Sequence, residues 1–175
     1  MTAKAERLIA LTGLPGSGKT TLARRLAPEL GLRVLDVAEI LRAVLPESGR
    51  DLHRAEIGPV FIRRHGEAGV FDAVRDALAP EREVMLDGLR LVRTCRQLVD
   101  AYPDAQIWLV EPSNDVRLQR LRDRLGRNAD AALEFYSAFD GELRGLRSLA
   151  DVVLPNDGTP EELLAAGRLA AARTR

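Results

Sequence analysis

The eight residues Gly13-Leu-Pro-Gly-Ser-Gly-Lys-Thr20 constrain this chain more than any other stretch. They follow the apolar run Leu8-Ile-Ala-Leu-Thr12 and precede a helical run, TLARRLAPEL. The pattern Gly-x-x-x-x-Gly-Lys-Thr is the phosphate loop in full, a turn between a strand and a helix. Its glycines let successive backbone N–H groups curl around an anion, and the helix behind adds its positive end. Lys19 is placed to reach β- and γ-phosphates, and the Thr20 hydroxyl to join a magnesium shell. The same cradle takes in Gly13, Pro15, Gly16, Ser17, Gly18 and Thr21. A match this long arises by accident in about one in two hundred chains of this length. Nucleoside triphosphate binding follows.

The rest of the chain has the pattern such a loop requires. Short apolar runs at 7–12, 32–36, 83–87, 105–111 and 151–155 read as strands. Helix-length segments at 18–30, 37–45, 52–79, 91–102, 113–125, 131–149 and 160–173 lie between and after them. Alternation of this kind gives an α/β fold, a parallel sheet with helices on both faces. With 175 residues, one domain is expected. The segment 46–79 is a candidate acceptor-binding helical region, and 115–130 a candidate lid. Basic and acidic side chains balance at 26 each, and aromatics make up 4% of residues, so neither a nucleic-acid partner nor a membrane surface is expected. A single cysteine, Cys95, and the lack of a long apolar run near the start make a cytoplasmic location the expectation.

The loop alone leaves the reaction open, because GTPases, motor ATPases, transporters and small-molecule kinases all use it. The chain has no Asn-Lys-x-Asp or Leu-Ser-Gly-Gly segment, which moves weight to the kinases. The stretch VMLDGLRLVRTCRQL, residues 84–98, adds chemistry. Asp87 ends an apolar strand, where a carboxylate is costly unless it meets a cation or donors. With Thr20 it is the candidate magnesium ligand, and Arg90 offers a planar fork for a phosphate. In DVRLQRLRDRLGR, residues 115–127, Leu118, Leu121 and Leu125 form an inward stripe, and Arg117, Arg120 and Arg124 a second one beside it. Asp36, at the end of the second strand, is either an orienting base for a hydroxyl acceptor or an N-cap for the helix that follows. Arg42, Arg63 and Arg64 are candidate contacts to an acceptor phosphate. His53 and His65 are too few and too separated for a metal cluster.

A phosphate loop followed by hydrophobic-Asp87-Gly88-x-Arg90, with Arg93-Thr94 and Gln97 beyond, resembles the nucleoside monophosphate kinase group of P-loop kinases. It is similar both to adenylate-kinase-like and to dephospho-CoA-kinase-related proteins, and LADVVLPNDGTPEELL resembles the ending of the latter. The resemblance implies a three-layer P-loop kinase fold with five parallel strands ordered 2-3-1-4-5. It implies ATP and Mg2+ as the bound cofactors, with the γ-phosphoryl group moving to a small phosphorylated acceptor. Arg120 and Arg124 become lid arginines over the transferring phosphate, and Asn156 a contact to adenine. A nucleoside monophosphate is the expected acceptor. The alternatives are a hydroxyl acceptor such as dephospho-CoA, a partner-regulated ATPase or switch, and a nucleotide-binding module without catalysis. The intact set of Lys19, Thr20 and Asp87 argues against the last.

Overall fold

The computed structural model describes residues 6–49, 51–126 and 140–173. Five strands form one all-parallel sheet in the order β2-β3-β1-β4-β5, as the family resemblance implied. They are β1 (Arg7–Thr12), β2 (Arg33–Asp36), β3 (Glu83–Leu89), β4 (Gln106–Glu111) and β5 (Val152–Pro155). Among the described residues, seven α-helices connect and cover them: α1 (Lys19–Glu29), α2 (Val37–Val44), α3 (Arg54–Leu78), α4 (Val92–Ala101), α5 (Asn114–Leu125), α6 (Leu143–Leu149) and α7 (Pro160–Arg173). Each expected element is present to within a few residues, apart from the start of the segment expected at 131–149. Positions 131–139 lie outside the described residues, and the described remainder is a short turn followed by α6.

Both faces of the sheet are buried, which is why its strands read as nearly continuous apolar runs. Along β1, Leu8 and Ala10 face the layer built by α2, α3, α4 and α6, while Ile9 and Leu11 face α1 and α7. Trp108 is fully buried in the second layer as a packing residue. Helix boundaries follow local chemistry. Asp36 caps α2 by accepting from the Ala38 N–H at 2.9 Å. The His53 Nδ1 caps α3, and the Glu56 carboxylate reaches back to the His53 N–H. Thr159 and Glu162 close a reciprocal capping box at the start of α7.

Two irregularities shape the end of the sheet where the phosphate loop lies. The β1–β3 register slips so that Thr12 pairs with Leu89 directly after Leu11 pairs with Asp87, leaving Gly88 as the extra residue of a bulge. The Thr12 hydroxyl donates to the Leu89 carbonyl at 2.7 Å and pins the bulge. Such a bulge bends the strand and re-aims its side chains. The second irregularity is in α3, which is broken at Gly66 (φ 71, ψ 168). Its first half carries Arg54 toward the site, and its second half packs Val70 and Val74 into the core.

Candidate active site

The carboxyl ends of the strands open into a cleft of about 420 Å³. It is lined by Pro15, Gly16, Gly18, Lys19, Thr20 and Thr21 of the phosphate loop and α1, by Asp87, Gly88 and Arg90 at the end of β3, and by Arg120 and Arg124 of α5. A cleft at this end of a parallel sheet is where open α/β folds take ligands. Gly13, Gly16 and Gly18 all have positive φ. At Gly18 the requirement is double: φ is 100°, and a Cβ would stand 2.4 Å from the Asn156 side-chain nitrogen.

Lys19 is buried and folded back on its own loop. Its ammonium donates to the carbonyls of Gly13 (2.7 Å) and Leu14 (2.9 Å) and to the Ser17 hydroxyl (3.0 Å). Burial foremost, and then the Arg90 guanidinium, push its pKa down to about 7. An incoming anion would oppose that depression by favouring the charged ammonium.

The Thr20 hydroxyl donates to Asp87 Oδ2 at 2.6 Å, while Asp87 Oδ1 is buried and has no donor among the described residues. A buried carboxylate oxygen left without a donor is costly and fits a cation or its water shell. Two hard oxygen groups side by side suit magnesium, which takes few protein ligands and completes its shell with phosphate and water. No cluster of three or more His, Cys, Asp or Glu side chains exists among the described residues, so such an ion would rely on those other ligands.

Arg120 donates to the carbonyls of Asn156 and Gly158, both at 2.9 Å, which fixes its guanidinium in the cleft lining. Asn156, expected against adenine, has its side-chain amide on the Ser17 carbonyl at 2.7 Å. It is 5% exposed and ties the β5–α7 loop to the phosphate loop. Arg124 is exposed and reaches the cleft. Arg117, of the same stripe, instead turns inward and bonds Asn114 Oδ1. Arg42 donates to the Leu52 carbonyl, and neither it nor the exposed Arg63 and Arg64 lines the cleft. Cys95 is buried, which pushes its thiol up to about 12 and leaves it inert.

Asp36 sits beside Asp87 in the sheet register but does not line the cleft. Its carboxylate takes both terminal nitrogens of Arg54, at 2.6 and 2.9 Å, in addition to capping α2. Arg54 does line the cleft, as does its neighbour His53. Burial works against the Arg54 charge, but the hydrogen bond and charge of Asp36 outweigh it and hold the guanidinium pKa above its ordinary value. Nothing in the sequence singles out Arg54. Its partner is eighteen positions away in another element, and its own segment reads as polar.

A smaller apolar pocket of about 50 Å³ adjoins the cleft and shares Arg54, Gly88 and Arg90 with it. The site therefore has two compartments joined at a pair of guanidinium groups.

A family model described as an AAA domain matches residues 12–135, which span the phosphate loop, β3 and α5. A UPF0200 protein of Aeropyrum pernix is 34% identical over 171 residues, covering 94% of this chain and 91% of that one. A cytidylate kinase of Methanopyrus kandleri is 34% identical over 138 residues, covering 71% of this chain and 66% of its own length. Among solved structures, a shikimate kinase of Bacteroides thetaiotaomicron superposes with a TM-score of 0.65 at 21% identity, covering 97% of this chain and 98% of that one. A gluconokinase of Sinorhizobium meliloti gives 0.65 at 16%, covering 98% and 94%. At such identities the structural likeness establishes the fold. With the family match across the phosphate loop and the sheet order of these kinases, the chain belongs to the AAA-domain family as a P-loop kinase.

Proposed function

We propose that the chain transfers the γ-phosphoryl group of ATP to a nucleoside monophosphate. The observation that carries this reading is the charge of the cleft. Lys19, Arg54, Arg90, Arg120 and Arg124 face it against the single carboxylate of Asp87 among the described residues. A magnesium-bound triphosphate brings roughly two net negative charges. Asp36 already offsets Arg54, so with Asp87 and the triphosphate about one positive charge is left over, which an acceptor phosphate takes up. A neutral hydroxyl acceptor such as a nucleoside supplies none, and dephospho-CoA carries its charge on a diphosphate away from the reacting hydroxyl. The engagement of Asp36 with Arg54 and the Ala38 N–H also speaks against its serving as a base, and an anionic phosphate oxygen needs none. The relatives named cytidylate kinase agree with this acceptor class.

In this reading the loop amides and Lys19 hold the donor phosphates. Lys19 leaves the Gly13 and Leu14 carbonyls to do so. Thr20 and Asp87 hold magnesium, which when bound neutralises charge on the phosphate oxygens. Arg54 and Arg90 grip the acceptor phosphate where the two compartments meet. Arg120 and Arg124 complete the shell and offset charge spreading over the transferring group. The test is ADP formation that depends on an acceptor, screened over the four common nucleoside monophosphates, the matching nucleosides and dephospho-CoA. Turnover with a monophosphate and none with its nucleoside is expected. Turnover with a nucleoside or dephospho-CoA alone would replace this reading with a hydroxyl-directed kinase.

A further inference from the structure

The smaller compartment has a polar group that nothing else uses. Val37, Leu41, Ile62, Leu89 and Leu91 make it apolar, and Thr94 contributes the one uncharged polar side chain in its lining. Thr94 is fully buried, and its hydroxyl oxygen has no hydrogen-bond partner among the described residues. A threonine inside a helix ordinarily settles its hydroxyl on the carbonyl one turn back. Here that bond is not made, and a buried unsatisfied hydroxyl destabilises a fold by about 1–3 kcal/mol. Valine has nearly the same shape without that penalty, so packing alone does not account for threonine. Gln97, one turn further along α4, also has a buried oxygen without a partner among the described residues, but it does not line the pocket.

The pocket's position says what meets that hydroxyl. Its mouth is shared with the phosphate cleft through Arg54, Gly88 and Arg90, so an acceptor phosphate gripped there directs the rest of the molecule inward. What fits beyond is largely apolar and able to form a hydrogen bond with the Thr94 hydroxyl. At about 50 Å³ the space is smaller than the roughly 150 Å³ that a benzene ring takes up in a protein cavity, so a base enters only as the helices around it move apart, and one ring demands less opening than two. We propose that Thr94 is the specificity-determining contact for the acceptor base: its hydroxyl bonds the polar edge of a one-ring nucleobase seated between Leu41, Ile62 and Leu91. This inference rests on the monophosphate-acceptor reading and adds the residue that selects among monophosphates.

The test compares the wild-type protein with Thr94→Val and Thr94→Ser, using CMP, UMP, AMP and GMP as acceptors at saturating ATP. Wild type is expected to prefer a pyrimidine monophosphate. Thr94→Val should lower kcat/KM for that acceptor by about ten- to a hundred-fold and flatten the preference among the four. Thr94→Ser should restore it to within a few-fold. Thermal unfolding provides a second readout that a structural role would move the other way: Thr94→Val should melt higher than wild type, because it removes an unsatisfied group. An unchanged order of preference in Thr94→Val, or a lower melting temperature, overturns the inference and leaves the monophosphate reading standing. A wild-type protein that uses none of the four overturns that reading and this inference with it.

Discussion

Asp36→Asn separates the two roles that the end of β2 could play. The Asp36 Oδ1 accepts from the Ala38 N–H and from Arg54 at 2.9 Å each, and Oδ2 accepts from Arg54 at 2.6 Å. Asparagine caps a helix about as well as aspartate, so α2 keeps its first turn. What is lost is the charge and one of the two bonds to Arg54. That pair is partly exposed, with the Arg54 side chain at 39%, so solvent screening limits its contribution to about 1 kcal/mol. In a chain of this size that corresponds to a melting point lowered by roughly 2–4 °C. The larger effect is on function. A loosened Arg54 grips an acceptor phosphate less well, and losing about 1 kcal/mol of support for it raises the acceptor KM by roughly five-fold. The kcat should fall less than ten-fold, because no proton transfer depends on Asp36. General-base loss has a different signature, about two to four orders of magnitude in kcat. Steady-state ADP formation, with the acceptor varied at saturating ATP, distinguishes the two. Arg54→Lys should share the KM phenotype, since lysine keeps the charge but lacks the fork. A hundred-fold drop in kcat with acceptor KM and melting point unchanged would refute the reasoning.

Three further perturbations follow from the same geometry. Lys19 has a folded-state pKa of about 7, below its ordinary 10.5, so the ligand-free protein should gain stability as pH rises from about 7 toward 10. ATP binding at pH 8 should correspondingly take up close to one proton, and calorimetry showing equal heats in buffers of different ionisation enthalpy would contradict this. Asn156→Ala removes a buried bond to the Ser17 carbonyl, so ATP affinity should drop several-fold together with about 1–3 kcal/mol of stability in urea titration; unchanged affinity would mean the loop sets itself. Gly66 occupies a backbone region open essentially to glycine alone, and among the described residues nothing lies within 4 Å of where a Cβ would be. Gly66→Ala should therefore cost about 1–3 kcal/mol from backbone strain, and a neutral or stabilising result would argue that α3 runs straight.

The strand–loop–helix of the phosphate site was legible because its pattern encodes backbone geometry directly: glycines where φ is positive, a lysine and a threonine at fixed offsets. Asp87 was legible because a carboxylate ending an apolar run demands a reason. Strand order came only through the family resemblance, since periodicity locates strands without saying which are neighbours. Arg54 could not be read from its surroundings. It lies in a charged segment, and its significance comes from Asp36, a contact created by how α3 crosses the end of β2. Asp36 itself was read as either cap or base, and the structure adds a third use of the same carboxylate that has no one-dimensional signature. Thr94 did carry a signal. Leu91, Cys95 and Leu98 mark the buried face of α4, and Thr94 falls on that face. A polar residue on a core stripe invites the question of what it bonds.

The bond from Asn156 to the Ser17 carbonyl joins residues 139 positions apart in the chain. During synthesis the GLPGSGKT segment emerges early, followed by its helix, long before β5 exists. An emerging chain that stops after α5 has every phosphate-binding residue of the loop but lacks the amide that braces it and the two carbonyls that anchor Arg120. Nucleotide should then bind poorly to any intermediate in which β5 has not docked. ATP in the cell would therefore reward completion of the sheet and do little to stabilise partly folded chains.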